Sequence, residues 1–229
     1  MRRVHGILAA IFLVVTPACA QTNDRRLYGL QDQKALEEVV RTQEAHVTQN
    51  PNDVDSLKRL GIAYHNLGRQ EVSGSVSKAL TYLQRARDIA PQDYEILAYL
   101  GSAKTMEARD SWNPVIKTLS VEKGMRWLDN AVEKDPDNVA IRFVRIYNSL
   151  RLPRLFQRVR HAKTDLLHLV TLMEKIPAAF EPTLQAEIFF LLGEVSAIDD
   201  EGAKAQEYWR KAVETAPDSE WAQQAKKRP

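Results

Sequence analysis

The chain has 229 residues, 44% hydrophobic and 27% charged, with 9 Gly and 10 Pro, a composition too apolar for disorder and a length that fits one or two globular units. A single Cys and 7% aromatics exclude a disulfide-stapled mini-protein, a four-Cys zinc site and an iron–sulfur centre held by the chain's own thiolates. The formal charge of +2, from 32 basic and 30 acidic residues, gives no electrostatic argument for nucleic acid or an anionic membrane as a partner.

Arg2 and Arg3 open the chain, Ile7 to Val15 form an uncharged run, and Thr16-Pro17-Ala18-Cys19-Ala20 leads to Gln21. Charge, apolar core and small-residue exit in that order predict a secretory signal peptide over residues 1–20 and a periplasmic location. The apolar core is about half of the roughly 20 residues needed to cross a bilayer, and no later stretch qualifies, so no transmembrane span is expected. Cys19 has two fates. Ala18 and Ala20, three and one before Gln21, suit ordinary cleavage, which discards the only thiol. Thr16-Pro17-Ala18-Cys19 also resembles a bacterial lipobox, whose Cys becomes a lipidated first residue anchoring the chain to the outer membrane, although Thr16 and Pro17 depart from the usual aliphatic start. Either way the body lacks Cys, and loss of Arg2 and Arg3 leaves it neutral.

From residue 21 to 229 the chain reads as one repeat domain. Prolines 51, 91, 136, 177 and 217 fall at steps of 40, 45, 41 and 40, and a period in that range predicts a solenoid. Each follows an apolar-periodic stretch, where its missing N–H and its ring stop a helix. Polar residues come next, as in Asn52-Asp53, Gln92-Asp93, Asp137-Asn138 and Asp218-Ser219, placed to accept from the free amides of the following helix.

Within the units, Leu60-Gly61, Leu100-Gly101 and Leu192-Gly193 mark the first helices, with Tyr64 after the first pair. The second helices carry Ala79, Leu83 and Ala86, then Gly124, Leu128 and Ala131, then Ala205, Trp209 and Ala212. A mid-helix glycine costs ~1 kcal/mol against alanine, so three at equivalent places point to close helix–helix contact, with the bulky residues filling the space beside them. The pattern resembles the tetratricopeptide repeat (TPR): an aromatic, Leu-Gly, Tyr, then Ala, Phe, Ala and Pro across a helical hairpin. The resemblance implies an all-α fold, a right-handed α-α superhelix of about 3.5 to 4 hairpins. A half repeat spans 34–50, repeats span about 54–91, 94–136, 139–177 and 186–219, and a polar helix over 218–227 caps the stack. The fourth unit fits the family spacing. The first carries six extra residues around Glu71 to Ser77, and the second about eleven between its helices, containing Trp112, Asn113 and Pro114. In the third, Arg145-Ile146 replaces Leu-Gly and Arg151 to His161 lengthen the turn.

No nucleophile-and-base pair, phosphate-cradling glycine loop or metal cluster stands out, so no catalytic residues, cofactor or metal are expected. Ser73-Gly74-Ser75 reads as a turn tip. His161 and His168, seven apart on a helix, would lie about 10 Å apart, too far to share an ion. From Asn138 to Thr164 there is no acid, while Arg142, Arg145, Arg151, Arg154, Arg158, Arg160 and Lys163 are all present. This run is either an anion-binding patch or pairs internally with acids such as Glu122, Glu133 and Asp135.

With the Leu-Gly stripe packed inside each hairpin, the neighbouring stripe lines the inner curve. It comprises Lys58, Ile62, His65 and Asn66; Ser102 and Met106; Phe143, Tyr147 and Arg151; and Phe190 and Glu194. TPR proteins use this groove for segments of partner proteins, though the family's clamp for C-terminal carboxylates is not reproduced. The resemblance implies a non-enzymatic adaptor of the bacterial cell envelope that binds another envelope protein or an acidic peptide. The other reading is a lipid- or small-molecule-binding accessory subunit of an envelope transport system, with a closed apolar pocket around Trp112 and Phe156.

Overall fold

The computed structural model describes residue 27 and residues 29–228, so the predicted signal peptide and Cys19 lie outside the described residues. Ten α-helices follow in order among residues 29–228: α1 Gln33–Gln49, α2 Val54–Arg69, α3 Ser75–Ile89, α4 Tyr94–Asp110, α5 Pro114–Lys134, α6 Val139–Arg151, α7 Val159–Lys175, α8 Pro182–Ile198, α9 Gly202–Thr215 and α10 Glu220–Ala225. No strand is present among the described residues. The chain is a TPR-like solenoid: α2/α3, α4/α5, α6/α7 and α8/α9 are antiparallel hairpins stacked in sequence, with α1 against α2 and α10 closing the far end on α8 and α9.

The junctions follow from local chemistry. Helices α1, α3, α5, α7 and α9 each end two residues before a proline of the periodic set. Asp53 Oδ2 then accepts from Ser56 N at 3.0 Å, Asp93 Oδ1 from Glu95 N and Ile96 N, Asn138 Oδ1 from Ile141 N at 3.1 Å and Ser219 Oγ from Ala222 N at 3.1 Å. Each such cap contributes ~1 kcal/mol to its helix. The second unit differs from expectation. Its extra residues do not form a long turn: Asn113 accepts from Val115 N and Ile116 N, Pro114 takes the first helical position, and the insertion lengthens α5. The added turns leave Val115, Ile116 and Leu119 exposed, and Trp112 is 90% exposed.

Three hairpins close on glycine. A Cβ at Gly61 would lie 2.5 Å from Leu83 Cγ, one at Gly124 would lie 2.5 Å from the Gly101 carbonyl oxygen, and one at Gly193 would enter the Trp209 indole. The third hairpin closes differently. Ile146 is fully buried where the others have glycine, and Asp165 stands twelve residues before Pro177, the place held by Ala79, Gly124 and Ala205. Asp165 is fully buried and accepts from Arg142 Nη1 at 2.5 Å and from Arg145 Nε and Nη2, both at 2.7 Å. Arg145 and Arg158 also bond Asp129. A carboxylate buried to this degree persists only with such complete pairing.

The core divides at α6. One apolar cluster runs from Leu27 through α1 to α5 and takes Ile141 and Val144. The other takes Ile146 together with α7, α8, α9 and α10.

Candidate binding cavity

The inner curve of the stack forms an open-sided cavity of about 980 Å³, lined by α2, α4, the first turns of α5, α6 and the turn after it, the first half of α8, and α10. Of the residues expected on the inner stripe, His65, Asn66, Ser102, Met106, Phe143, Tyr147 and Arg151 line it. The other four lie elsewhere because stacking of neighbouring units occupies them. Ile62 is fully buried in the core, and Lys58 reaches from α2 to Asp93 and Glu95, at 3.0 and 2.9 Å. Phe190 packs on Trp221, ring centres 5.6 Å apart. Glu194 holds Arg228, at 2.6 Å, and accepts from the Trp209 indole at 3.1 Å.

A polar chain crosses the floor. Asn66 Nδ2 donates to the Leu27 carbonyl at 2.7 Å, so its Oδ1 is the acceptor facing His65 Nδ1 at 3.2 Å. That assigns the imidazole proton to Nδ1 and leaves Nε2 to accept from Ser102 Oγ at 2.8 Å. Burial, with the positive charge of Arg69 adding to it, pushes the His65 pKa down to about 3, so the ring is neutral and structural at physiological pH. Farther along, the Thr105 hydroxyl donates to Ser102 O at 2.8 Å and therefore accepts from Asn148 Nδ2 at 2.5 Å. Asn148 Oδ1 is then a buried acceptor without a donor.

The walls carry charge on an apolar ground. Arg69 reaches across the groove and lies over the Tyr147 ring, 5.4 Å from its centre. The Tyr147 hydroxyl donates to Glu187. Burial, the Glu187 charge and that hydrogen bond hold the phenol well above its ordinary pKa. Burial raises the Glu187 carboxyl to about 7, Glu220 adding to the rise while Tyr147 and Arg69 oppose it. Arg109 donates to the Gly68 carbonyl at 3.0 Å and grips Asp110. Although much of Arg151 meets solvent, its pKa is lowered by desolvation of the head group and then by Arg69 and Arg109 nearby.

The arginine-rich run is not one patch. Arg142, Arg145 and Arg158 pair with Asp165 and Asp129, and Lys163 pairs with Asp199 and Glu201. The acids are not Glu122, Glu133 or Asp135 but Asp165 of α7, Asp129 of α5 and, for Lys163, the two in the turn after α8. Arg154 and Arg160 are exposed outside the cavity, and Arg151 alone of the run lines it. His161 and His168 are both on α7, where His168 bonds Asp137 at 2.8 Å. No group of three metal-ligating side chains forms among the described residues, nor is any helix there long and apolar enough to cross a membrane.

Arg69, Arg109, Tyr99, Glu187 and Trp221 also line the cavity and were not expected there. A signal existed for the first two: Arg69 and Arg109 stand nine residues after Leu60 and Leu100, equivalent positions in successive repeats. Glu187 and Trp221 reach the cavity only through superhelical curvature, which spacing along the chain does not encode.

The family model described as the plant-specific mitochondrial import receptor subunit TOM20 matches residues 32–179. The chain belongs to that TOM20 family. Helices α1 to α7 and the whole α6 seam lie inside the matched region, and α8 to α10 extend the TOM20-type portion by one hairpin and its cap. Among solved structures, the crystal structure of a thermophilic TPR protein from Thermus thermophilus superposes with a TM-score of 0.67 at 18% identity, covering 90% of this chain and 96% of that one. At that identity the likeness establishes the fold alone. No curated protein matches the chain.

Proposed function

We propose that this chain is a non-enzymatic scaffold that holds a segment of another protein in its concave cavity. The observation that carries the reading is the cavity itself: about 980 Å³, built from successive first helices, apolar and aromatic in the main, with a few polar groups fixed by hydrogen bonds. A receptor role belongs to the protein after which the family is named, and it lends the reading support by kinship. The first twenty residues support an exported, periplasmic adaptor of the bacterial envelope, with Cys19 either removed with the leader or lipidated as a membrane anchor. The intact mass of the mature N-terminus tests this, since cleavage before Gln21 and diacylation at Cys19 give different masses.

The scaffold reading is tested by placing a photo-crosslinker at Met106 or Phe143, inside the cavity, and at Lys211, on the outer surface. One discrete protein adduct from the two inner positions and none from Lys211 is the expected result. Equal labelling from all three counts against the cavity.

A second reading, a lipid- or small-molecule-binding accessory subunit of an envelope transport system, draws support from the mainly apolar surface of the cavity and from Phe156, which lines it. Trp112, expected there, is exposed instead. Native mass spectrometry that finds a stoichiometric lipid in the purified chain favours this reading over the scaffold.

A further inference from the structure

Two of the guanidinium groups that face the cavity stand outside its ion pairs. Arg69 and Arg151 make no ion pair among the described residues. Arg69 Nε is buried with no acceptor, and the head group rests on the Tyr147 face. Arg151 is one helical turn beyond Tyr147 on α6, close enough to Arg69 that the two repel. Like charges held together in a partly dry cavity, one with a buried donor unsatisfied, are costly unless a ligand supplies the anion. The nearest acids stop short of an ion pair with either: Asp110 is held by Arg109, and Glu187, whose field reaches Arg69, takes the Tyr147 hydroxyl.

We propose that Arg69 and Arg151 are the anion-recognising element of the cavity and bind carboxylate side chains of an acidic, partly apolar peptide segment, an inference that rests on reading the cavity as a protein-binding groove. The ligand class follows from the surroundings. Guanidinium forks fit carboxylates in bidentate fashion, and the aromatic and aliphatic walls need apolar side chains between the charges. Asn148 Oδ1 is a buried acceptor without a donor, and a peptide brings backbone N–H groups as well as carboxylates. The arginines also sit inside the concave curve, out of reach of a flat bilayer.

The test is calorimetric titration of the full mature chain with an amphipathic Leu/Ala/Glu peptide and its Glu→Gln counterpart, on wild type, Arg151→Gln and the Arg69→Gln/Arg151→Gln double variant. Arg151 is exposed and makes no hydrogen bond among the described residues, so its variant should melt as wild type does. The acidic peptide should bind wild type about 10-fold or more tighter than its amide counterpart. That preference should shrink with salt, fall in Arg151→Gln and vanish in the double variant, while the amide peptide binds all three alike. Equal affinity of wild type for both peptides would overturn the arginine element and leave the groove standing. Binding of neither peptide would overturn both. Sedimentation of wild type but not the double variant with phosphatidylglycerol vesicles, without any peptide preference, would assign the arginines to a membrane surface instead.

Discussion

The last hairpin and the third solve the same packing problem with opposite chemistry. In α8/α9, Gly193 lies under the Trp209 indole, and the helices meet through a missing side chain. In α6/α7, Ile146 removes that option, and two arginines close around the fully buried Asp165. The glycine contact is steric and insensitive to charge. The arginine contact depends on every member being present, because dehydrated ions are tolerable only together. One fold therefore accommodates either device, but the two fail under different insults.

The comparison is broken or sharpened by four effects. Asp165→Ala leaves Arg142 buried without a counter-charge and Arg145 with Asp129 alone, and should cost ~3–5 kcal/mol in denaturant unfolding, while the apolar triple change Arg142→Leu/Arg145→Leu/Asp165→Leu should restore most of it. A loss under ~1 kcal/mol for Asp165→Ala would show that the network is not what closes the hairpin. Among the glycines, Gly124→Ala forces a methyl against the Gly101 carbonyl, a backbone atom, whereas Gly61→Ala meets the Leu83 side chain, which can turn. Both should destabilise within ~1–3 kcal/mol, with Gly124→Ala the larger; the reverse order would count against backbone contact as the limit.

The third effect is a pH dependence at the junction of the two hairpins, where Tyr147 of α6 donates to Glu187 of α8. The Glu187 pKa is raised from 4.5 to about 7, so the folded state holds a proton that the unfolded state releases. Its contribution is fully present below pH 4.5 and is lost as pH rises through 7. Glu187→Gln should remove a slope on the order of 1 kcal/mol between those limits in chemical-denaturation midpoints. His65, pushed down to about 3 from 6.5, acts the other way, its contribution lost as pH falls below 6.5, and burial lowers His161 in the same direction, so the variant should leave the slope of the two histidines. An unchanged profile would mean that the carboxyl is ionised throughout. Smallest is Gly202→Ala: a Cβ there meets nothing within 4 Å, so it should gain from a few tenths to ~1 kcal/mol, the opposite sign to Gly124→Ala.

The solenoid was legible because its signals are local. Proline, cap and Leu-Gly each act within a few residues of themselves, and the helices end where the prolines require. The second insertion misled because length alone does not distinguish a long turn from a longer helix; Asn113-Pro114, a cap followed by a first-position proline, was the cue for helix. The inner stripe was half legible. His65, Ser102 and Tyr147 face inward by helical phase, but Ile62 and Phe190 share that phase and are covered by stacking units. The pairing of Arg142 and Arg145 could have been read from Asp165, whose counterparts in the other repeats are small. What no spacing encodes is superhelical closure, which carries Arg69 of the first hairpin onto Tyr147 of the third.

That closure acquires a further meaning from the seam at α6. Arg69 belongs to the half of the molecule built around the first apolar cluster, whereas Tyr147 packs with the second. The two jaws of the cavity are thus rooted in separate cores that share a single helix. Whatever the cavity holds is therefore gripped from both cores at once, and a substitution that loosens either apolar cluster is felt at the same aperture.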